Sequence, residues 1–399
     1  MRFVWITKDV PFVPDCGLML YSSGLLRGVL MDGATGTLVA YARSAASATS
    51  IAGLEIIAVQ PQRKIRALSL LTADHSDSFR HRSRWFARAF AAAMKSEPDF
   101  VVVDYFSTGW ILSQLRDCIR TNKKKPVVVF VSHNFESTLR ADIAESASSP
   151  LMRSILRIDA RKAARLEGEL VAASDLLVVI SDSDARNYRR LAAEKPILTL
   201  TPGYDGRLVT PGPLTDEVPR RAIVAGAFDW IAKQMNLRRF LDKAEKPFQR
   251  AGIEVLVVGR APERFVRNIS ARYPFCSFTG RVDDVRPFLR TGRIGLMPDD
   301  VGGGFKLKYL DYIFSGLPVA TIRSQVTGLP VDIDRDLIAR ENMTELVDAI
   351  VETIDDLELL NGMQSRCWTR CFSAFDWQDR GAALTREITR LMDRAPGRG

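Results

Sequence analysis

Three consecutive glycines, Gly302, Gly303 and Gly304, run into Phe305, Lys306 and Lys308 in the stretch GGGFKLKYLDYIFSGLP, with Asp311 one helical turn further on. Glycines ahead of a helix let backbone N–H groups approach an anion closely, and the helix dipole favours negative charge at that end. Lysines in a first helical turn sit on the unfavourable side of that dipole, at roughly a few tenths of a kcal/mol each. A bound diphosphate would compensate them. A solvated lysine pair after a flexible turn is the plainer alternative, and residue types alone leave both open.

The second candidate is His133, which closes the apolar run in PVVVFVSHN. A histidine at the carboxyl end of a buried strand stands where cleft residues of open α/β sheets belong, although a lone histidine is more often structural. Glu136 follows three residues on and reads equally well as an early-turn acid stabilised by a helix dipole. Metal chemistry is not indicated. The five cysteines form no Cys-x-x-Cys pair and only three histidines accompany them, so neither a disulfide framework nor a structural zinc site is expected.

These residues need elements to hold them. Ahead of the glycines, RIGLMPD reads as a strand ending at Asp299 or Asp300. After them a helix is expected from near Phe305, with Leu307, Leu310, Phe314 and Leu317 facing inward and Gly316 and Pro318 stopping it. Short Val/Ile-rich runs alternate with helix-length amphipathic segments along most of the chain: RFVWIT, TLVAYA, LEIIAV, FVVVDY, PVVVFVSHN and DLLVVIS, then AIVAGAF, EVLVVG, CSFTGRV, RIGLMPD and LPVATI. That alternation predicts an α/β protein with parallel sheets covered on both faces. A Pro-, Gly- and Thr-rich stretch separates the two series. We expect an N-terminal Rossmann-like domain over 1–200, a linker over 201–220, and a C-terminal Rossmann-like domain over 221–374. A helix over 375–399 can pack on either domain and is expected back on the first. Open sheets of this kind bind ligands outside the carboxyl ends of their strands.

At 399 residues, with 46% hydrophobic and 26% charged residues, the chain suits about two soluble globular domains. No apolar run approaches the ~18 residues that span a bilayer, and MRFVWITKDVPF does not read as a secretory signal, so a cytoplasmic protein is expected. The net charge of +9 favours polyanionic partners, but no nucleic-acid recognition module is present. In SFRHRSRWFARAFAAAMK, Phe79, Phe86, Phe90 and Ala93 share one face of a predicted helix and Arg80, Arg84 and Arg88 another. This basic amphipathic pattern fits either a solvated arginine face or contact with an anionic membrane surface.

The run GGGFKLKYLDYIFSGLPVA resembles the donor segment of GT-B glycosyltransferases of the group 1, family-4 kind. IVAGAFDWIAKQMNLRRFL, EVLVVGR and FTGRVDDVRPFL are similar in order and spacing to that family's next landmarks. TKDVPFVPDCGLMLYSSGLLRGVL is similar to its acceptor-side glycine loop, and VSHNFES to its His-Asn-x-Glu strand end. The resemblance implies two Rossmann-like domains facing a cleft, with retaining transfer from a UDP- or GDP-sugar to a carbohydrate or lipid-linked acceptor. No tightly bound cofactor is implied, and neither is a metal. The product would be a surface polysaccharide or glycoconjugate, made in the cytoplasm or at the inner face of the cell membrane.

Carried over by residue, the resemblance implies that Lys308 contacts the donor diphosphate, with Lys306 and Lys233 as further cations. The backbone of Gly302, Gly303, Gly304 and Phe305 would lie at the phosphates, Asp311 at the ribose hydroxyls, and Gly280 and Val282 at the base. His133 would hydrogen-bond a sugar hydroxyl and, with Lys308, form the catalytic pair, while Asp15, Gly17 and Glu136 would serve the acceptor side. The pattern departs from the family at Gly303, where a glutamate is usual, and at Ala227, where many members carry arginine. These departures motivate one rival expectation, a catalytically silent nucleotide-sugar-binding protein, and the shared two-domain plan leaves a second, a sugar-nucleotide epimerase or hydrolase.

Overall fold

The computed structural model describes residues 1–12, 16–42, 50–62, 64–147, 149–206, 208, 210–229, 231–299 and 305–394. They form two compact units, one of Met1–Gly203 with Asp376–Gly399 and one of Tyr204–Phe375.

The first unit is built on a seven-stranded parallel sheet. Its strands are β1 (Arg2–Asp9), β2 (Thr35–Tyr41), β3 (Leu54–Val59), β4 (Phe100–Asp104), β5 (Val127–Ser132), β6 (Leu176–Val179) and β7 (Ile197–Thr199). Their spatial order is β3-β2-β1-β4-β5-β6-β7, so the order reverses between β1 and β4. β4 and β5 are buried at every position, which is why they read as unbroken Val/Phe runs rather than alternating patterns.

The second unit repeats the plan with six strands. These are β8 (Arg221–Ala225), β9 (Glu254–Val258), β10 (Cys276–Phe278), β11 (Ile294–Met297), β12 (Val319–Ile322) and β13 (Ile338–Arg340). Their order is β10-β9-β8-β11-β12-β13, with the reversal between β8 and β11. All pairings in both sheets are parallel. Two α/β sheets with helices are thus present, as the alternation predicts.

The structure differs from the sequence reading in three respects. First, β7 and β13, three residues each, are absent from the sequence reading; so short a run carries no periodicity to detect. The arginine-rich segment is not one helix. It divides into Ser76–His81 and Arg84–Met94, because Ser83 is an N-cap whose hydroxyl accepts from the N–H groups of Trp85 and Phe86. Phe86, Phe90 and Ala93 are buried as expected while Arg84 and Arg88 are exposed, but Arg80 belongs to a different helix. Third, the helix after the glycines begins at Lys308 rather than near Phe305. Its lead-in turn closes through bonds three residues apart, Tyr309 N–H to Lys306 O and Leu310 N–H to Leu307 O, each 3.0 Å.

Within the stretch read as a linker, Leu214 N–H donates to Asn361 Oδ1 at 2.7 Å, and Gln364 Nε2 donates to Gly212 O at 3.0 Å. The last helix, Trp377–Arg394, lies against the Gly17–Met31 helix of the first unit. Gly28 and Gly381 let the two backbones touch there: a Cβ at either would run into main-chain atoms of the other helix. Trp377 fills the space left by Gly24 and Gly203. Among the described residues no helix is long and apolar enough to cross a membrane.

Candidate active site

In the second unit a pocket opens at the point of strand reversal. Ala225 at the end of β8, Met297, Pro298 and Asp299 at the end of β11, Phe228 and Lys233 after β8, and Lys308 line it. Backbone geometry shapes its floor. Gly226 and Gly259 have φ of +153° and +129°, values that side chains rarely tolerate. A Cβ at Gly226 would meet the Lys308 ammonium, and one at Gly259 would meet the Gly226 carbonyl. The first turn of the second unit therefore needs glycine at 226 to make room for Lys308.

Lys308 stands on a helix that is buried almost all round. Tyr309, Leu310, Tyr312, Ile313 and Phe314 are each at most 3% exposed, which fixes the helix rotation. Its Nζ donates to the Ala225 carbonyl and lies 5.9 Å from the centre of the Phe228 ring. Tyr312 locks the same strand end: its hydroxyl accepts from Ala225 N–H at 2.8 Å and donates to Leu296 O at 3.3 Å. Loss of water around the ammonium, reinforced by repulsion from Lys233, pulls the Lys308 pKa down to about 7. Lys306 is also shifted down, by burial first and by Lys233, against the pull of Asp299. Three lysines thus converge with one nearby carboxylate: Asp299 is 3.9 Å from Lys306 Nζ and accepts from Asn236 Nδ2 at 3.1 Å.

Asp311 follows one turn after Lys308. Burial raises its carboxyl to about 6, while Lys308 and Arg286 hold it from rising further. Gly280 has φ of +74° with open space around it, and it bridges to Gly259. Val282 packs against the core beneath, and Phe305 packs on Phe375 at 5.6 Å between ring centres. Gly302, Gly303, Gly304 and Asp300 lie outside the described residues, as does Asp15 in the first unit.

The first unit holds His133 just beyond β5. Its Nε2 is 2.7 Å from Asp104 Oδ1 at the end of β4, and Trp5 Nε1 donates to the other Asp104 oxygen at 3.0 Å. The edge-on rings of Tyr21 and Tyr105 flank the imidazole at 5.2 and 5.7 Å. Tyr105 has φ of +80°, a strained conformation for a bulky residue and one that recurs at functional sites. Asp104 is fully buried, and sequence reasoning missed it. The one signal was an acid terminating an otherwise apolar strand.

Glu136 is placed differently from His133. It is 2% exposed and pairs with Arg140 Nε at 2.8 Å, whose other arm reaches Asp77 at 2.9 Å. Its backbone N–H is capped by Glu167 at 2.8 Å. Gly17 begins its helix on the exposed surface. Among the described residues no cluster of three or more His, Cys, Asp or Glu side chains is arranged to hold a metal.

Known proteins share this fold. Residues 219–356 match the family of glycosyl transferases group 1. No curated protein matches the chain in sequence. Among solved structures, Anabaena HepE in complex with UDP and glucose superposes with a TM-score of 0.67 at 13% identity, over 98% of this chain and 99% of that one. The trehalose-6-phosphate synthase OtsA gives 0.66 at 10% identity, over 98% and 99%. The lipopolysaccharide outer core galactosyltransferase WaaB gives 0.60 at 12%, again over 98% and 99%. The chain has the GT-B fold of these structures, and residues 219–356 of its second unit match the glycosyl transferases group 1 family.

Proposed function

We propose that the pocket at the strand reversal of the second unit holds the diphosphate of a UDP-linked sugar, and that the first unit receives a carbohydrate or lipid-linked acceptor. The observation that carries this reading is Lys308, which reaches past Gly226 to the end of β8 with Lys306 and Lys233 nearby. Departure of a nucleoside diphosphate places new negative charge on the phosphate next to the broken bond. A fixed ammonium in a water-poor pocket stabilises that charge without having to reorganise. Asp311, one turn on, suits two adjacent ribose hydroxyls, since a carboxylate can accept from both. His133, oriented by Asp104, supplies a ring nitrogen for a sugar hydroxyl. Leaving-group stabilisation of this kind fits transfer with retention of anomeric configuration, into a polysaccharide or other glycoconjugate.

Uridine is favoured over guanosine because UDP occupies the HepE structure of the same fold. Calorimetric titration of UDP and GDP into the wild type, Lys308→Ala and Asp311→Ala tests the assignment. We expect UDP to bind the wild type and each variant to weaken it about tenfold or more, the effect of losing one charge-assisted contact of roughly 1.5–3 kcal/mol. Equal affinity in folded variants removes both residues from the donor site. Tighter binding of GDP reverses the choice of base.

A further inference from the structure

A second basic cavity lies in the first unit, away from the residues around His133. It has a volume of about 190 Å³ and is enclosed by the segment from Ala73 to Arg82, the start of the Leu112–Thr121 helix and the middle of the Pro150–Ala173 helix. At about 30 Å³ per water it has room for roughly six waters.

Four cations face it, Arg82, Arg116, Lys162 and Arg165, against two acids, Asp74 and Glu169. Asp74 pairs with Arg82 at 2.9 Å and Glu169 with Arg165 at 3.5 Å. Lys162 is half-buried, and its Nζ donates to the carbonyls of Ser69 and Thr72 at 2.8 and 2.7 Å. Those neutral acceptors fix the ammonium in place without cancelling its charge. Arg116 has no ion-pair partner among the described residues. The cavity therefore carries two uncompensated positive charges, one of them held rigidly. Trp110, in the same wall, is anchored edge-on against the buried Phe86 at 5.7 Å.

We propose that this cavity is a binding site for a phosphate or diphosphate oxyanion, distinct from the donor pocket of the second unit. Guanidinium forks match phosphate oxygens in pairs, and a preset ammonium adds charge at little ordering cost. The ligand is defined by its chemistry: a phosphate group carried either by a soluble molecule or by a membrane headgroup.

The test uses the full chain carrying Lys308→Ala, so that the donor pocket contributes little, with inorganic pyrophosphate titrated by calorimetry at constant ionic strength. Saturable binding is expected at one site. Lys162→Gln and Arg116→Ala, each added to that background, are expected to weaken it at least fivefold, and Lys123→Ala, on the loop after the Leu112–Thr121 helix, to leave it unchanged. Absence of saturable binding in the Lys308→Ala protein overturns the proposal, as does equal affinity when Arg116 and Lys162 are both replaced. Vesicles of phosphatidic acid that displace the pyrophosphate, where phosphatidylcholine vesicles do not, support the site and assign it to a headgroup. Pyrophosphate that stays bound in the presence of either vesicle supports the site and assigns it to a soluble phosphate.

Discussion

Lys308 shows how much a residue can be read from sequence and how much needs the fold. Glycines, lysines and Asp311 in one run left a phosphate cradle and a solvated lysine pair both open, and the family resemblance favoured the cradle. The sequence did not show that Gly226, more than eighty positions away, is vacant of a side chain so that Lys308 can enter. Nor did it show that burial takes the ammonium to about 7. That value has a consequence for binding. Without ligand, Lys308 is largely neutral at pH 8; a diphosphate beside it favours the charged form and raises its pKa. UDP binding at pH 8 should therefore take up about one proton, measurable as a dependence of the calorimetric heat on the ionisation enthalpy of the buffer. Stability follows the same linkage with its own sign. The folded pKa lies below the unfolded value of 10.5, so the unfolded chain binds more protons between about pH 7 and 10.5, and this group makes the ligand-free protein more stable as pH rises through that window. Buffer-independent heats in the wild type, or the same proton uptake in Lys308→Ala, would contradict the assignment.

At the scale of elements, the strand ends do the positioning. His133 was legible as the residue closing β5, but its partner was not, because Asp104 closes the neighbouring strand and only sheet registry brings the two carboxyl ends together. Asp104→Ala leaves Trp5 Nε1 and His133 Nε2 buried without their acceptor, at about 1–3 kcal/mol for each unsatisfied group. Asp104→Asn keeps one acceptor oxygen and should cost less. The expected order of unfolding midpoints in urea is wild type, then Asn, then Ala, and an alanine variant as stable as wild type would mean the carboxylate does not hold the two rings. The two glycine turns of the second unit give a contrasting pair. Gly259→Ala meets a backbone carbonyl, which cannot swing aside, whereas Gly226→Ala meets the flexible end of Lys308. Gly259→Ala should therefore cost about 1–3 kcal/mol of overpacking and backbone strain. Gly226→Ala should lose more nucleotide affinity relative to its effect on stability. The break between Ser76–His81 and Arg84–Met94 was readable in principle, since Ser83 ahead of an apolar-periodic segment is a capping signal. It was masked by arginines whose four-residue spacing continued across the break.

At the scale of the whole molecule, alternation of strand and helix was enough to predict two parallel α/β sheets, because buried parallel strands write themselves as Val/Ile runs. The docking of the last helix left no such mark. Gly24, Gly28 and Gly381 look like isolated helix-weakening residues until the Gly17–Met31 and Trp377–Arg394 helices are seen touching at their backbones. The first unit is therefore discontinuous in sequence, Met1–Gly203 completed by Asp376–Gly399, while Tyr204–Phe375 is continuous. The two units should respond differently to a change at that contact. Gly381→Ala places a Cβ against the Gly28 main chain, so the helices must separate, with an expected loss of about 1–3 kcal/mol. The loss should be confined to the first unit. Hydrogen exchange is the suitable readout, since it resolves local opening: amides of Gly17–Met31 and Trp377–Arg394 should exchange faster by about one to two orders of magnitude. Those of the Met343–Thr353 helix, in the second unit, should keep their wild-type rates. Faster exchange spread evenly over both units would show that the helix pair stabilises the chain as one cooperative body, and unchanged rates in Gly17–Met31 would show that the contact bears no stability at all.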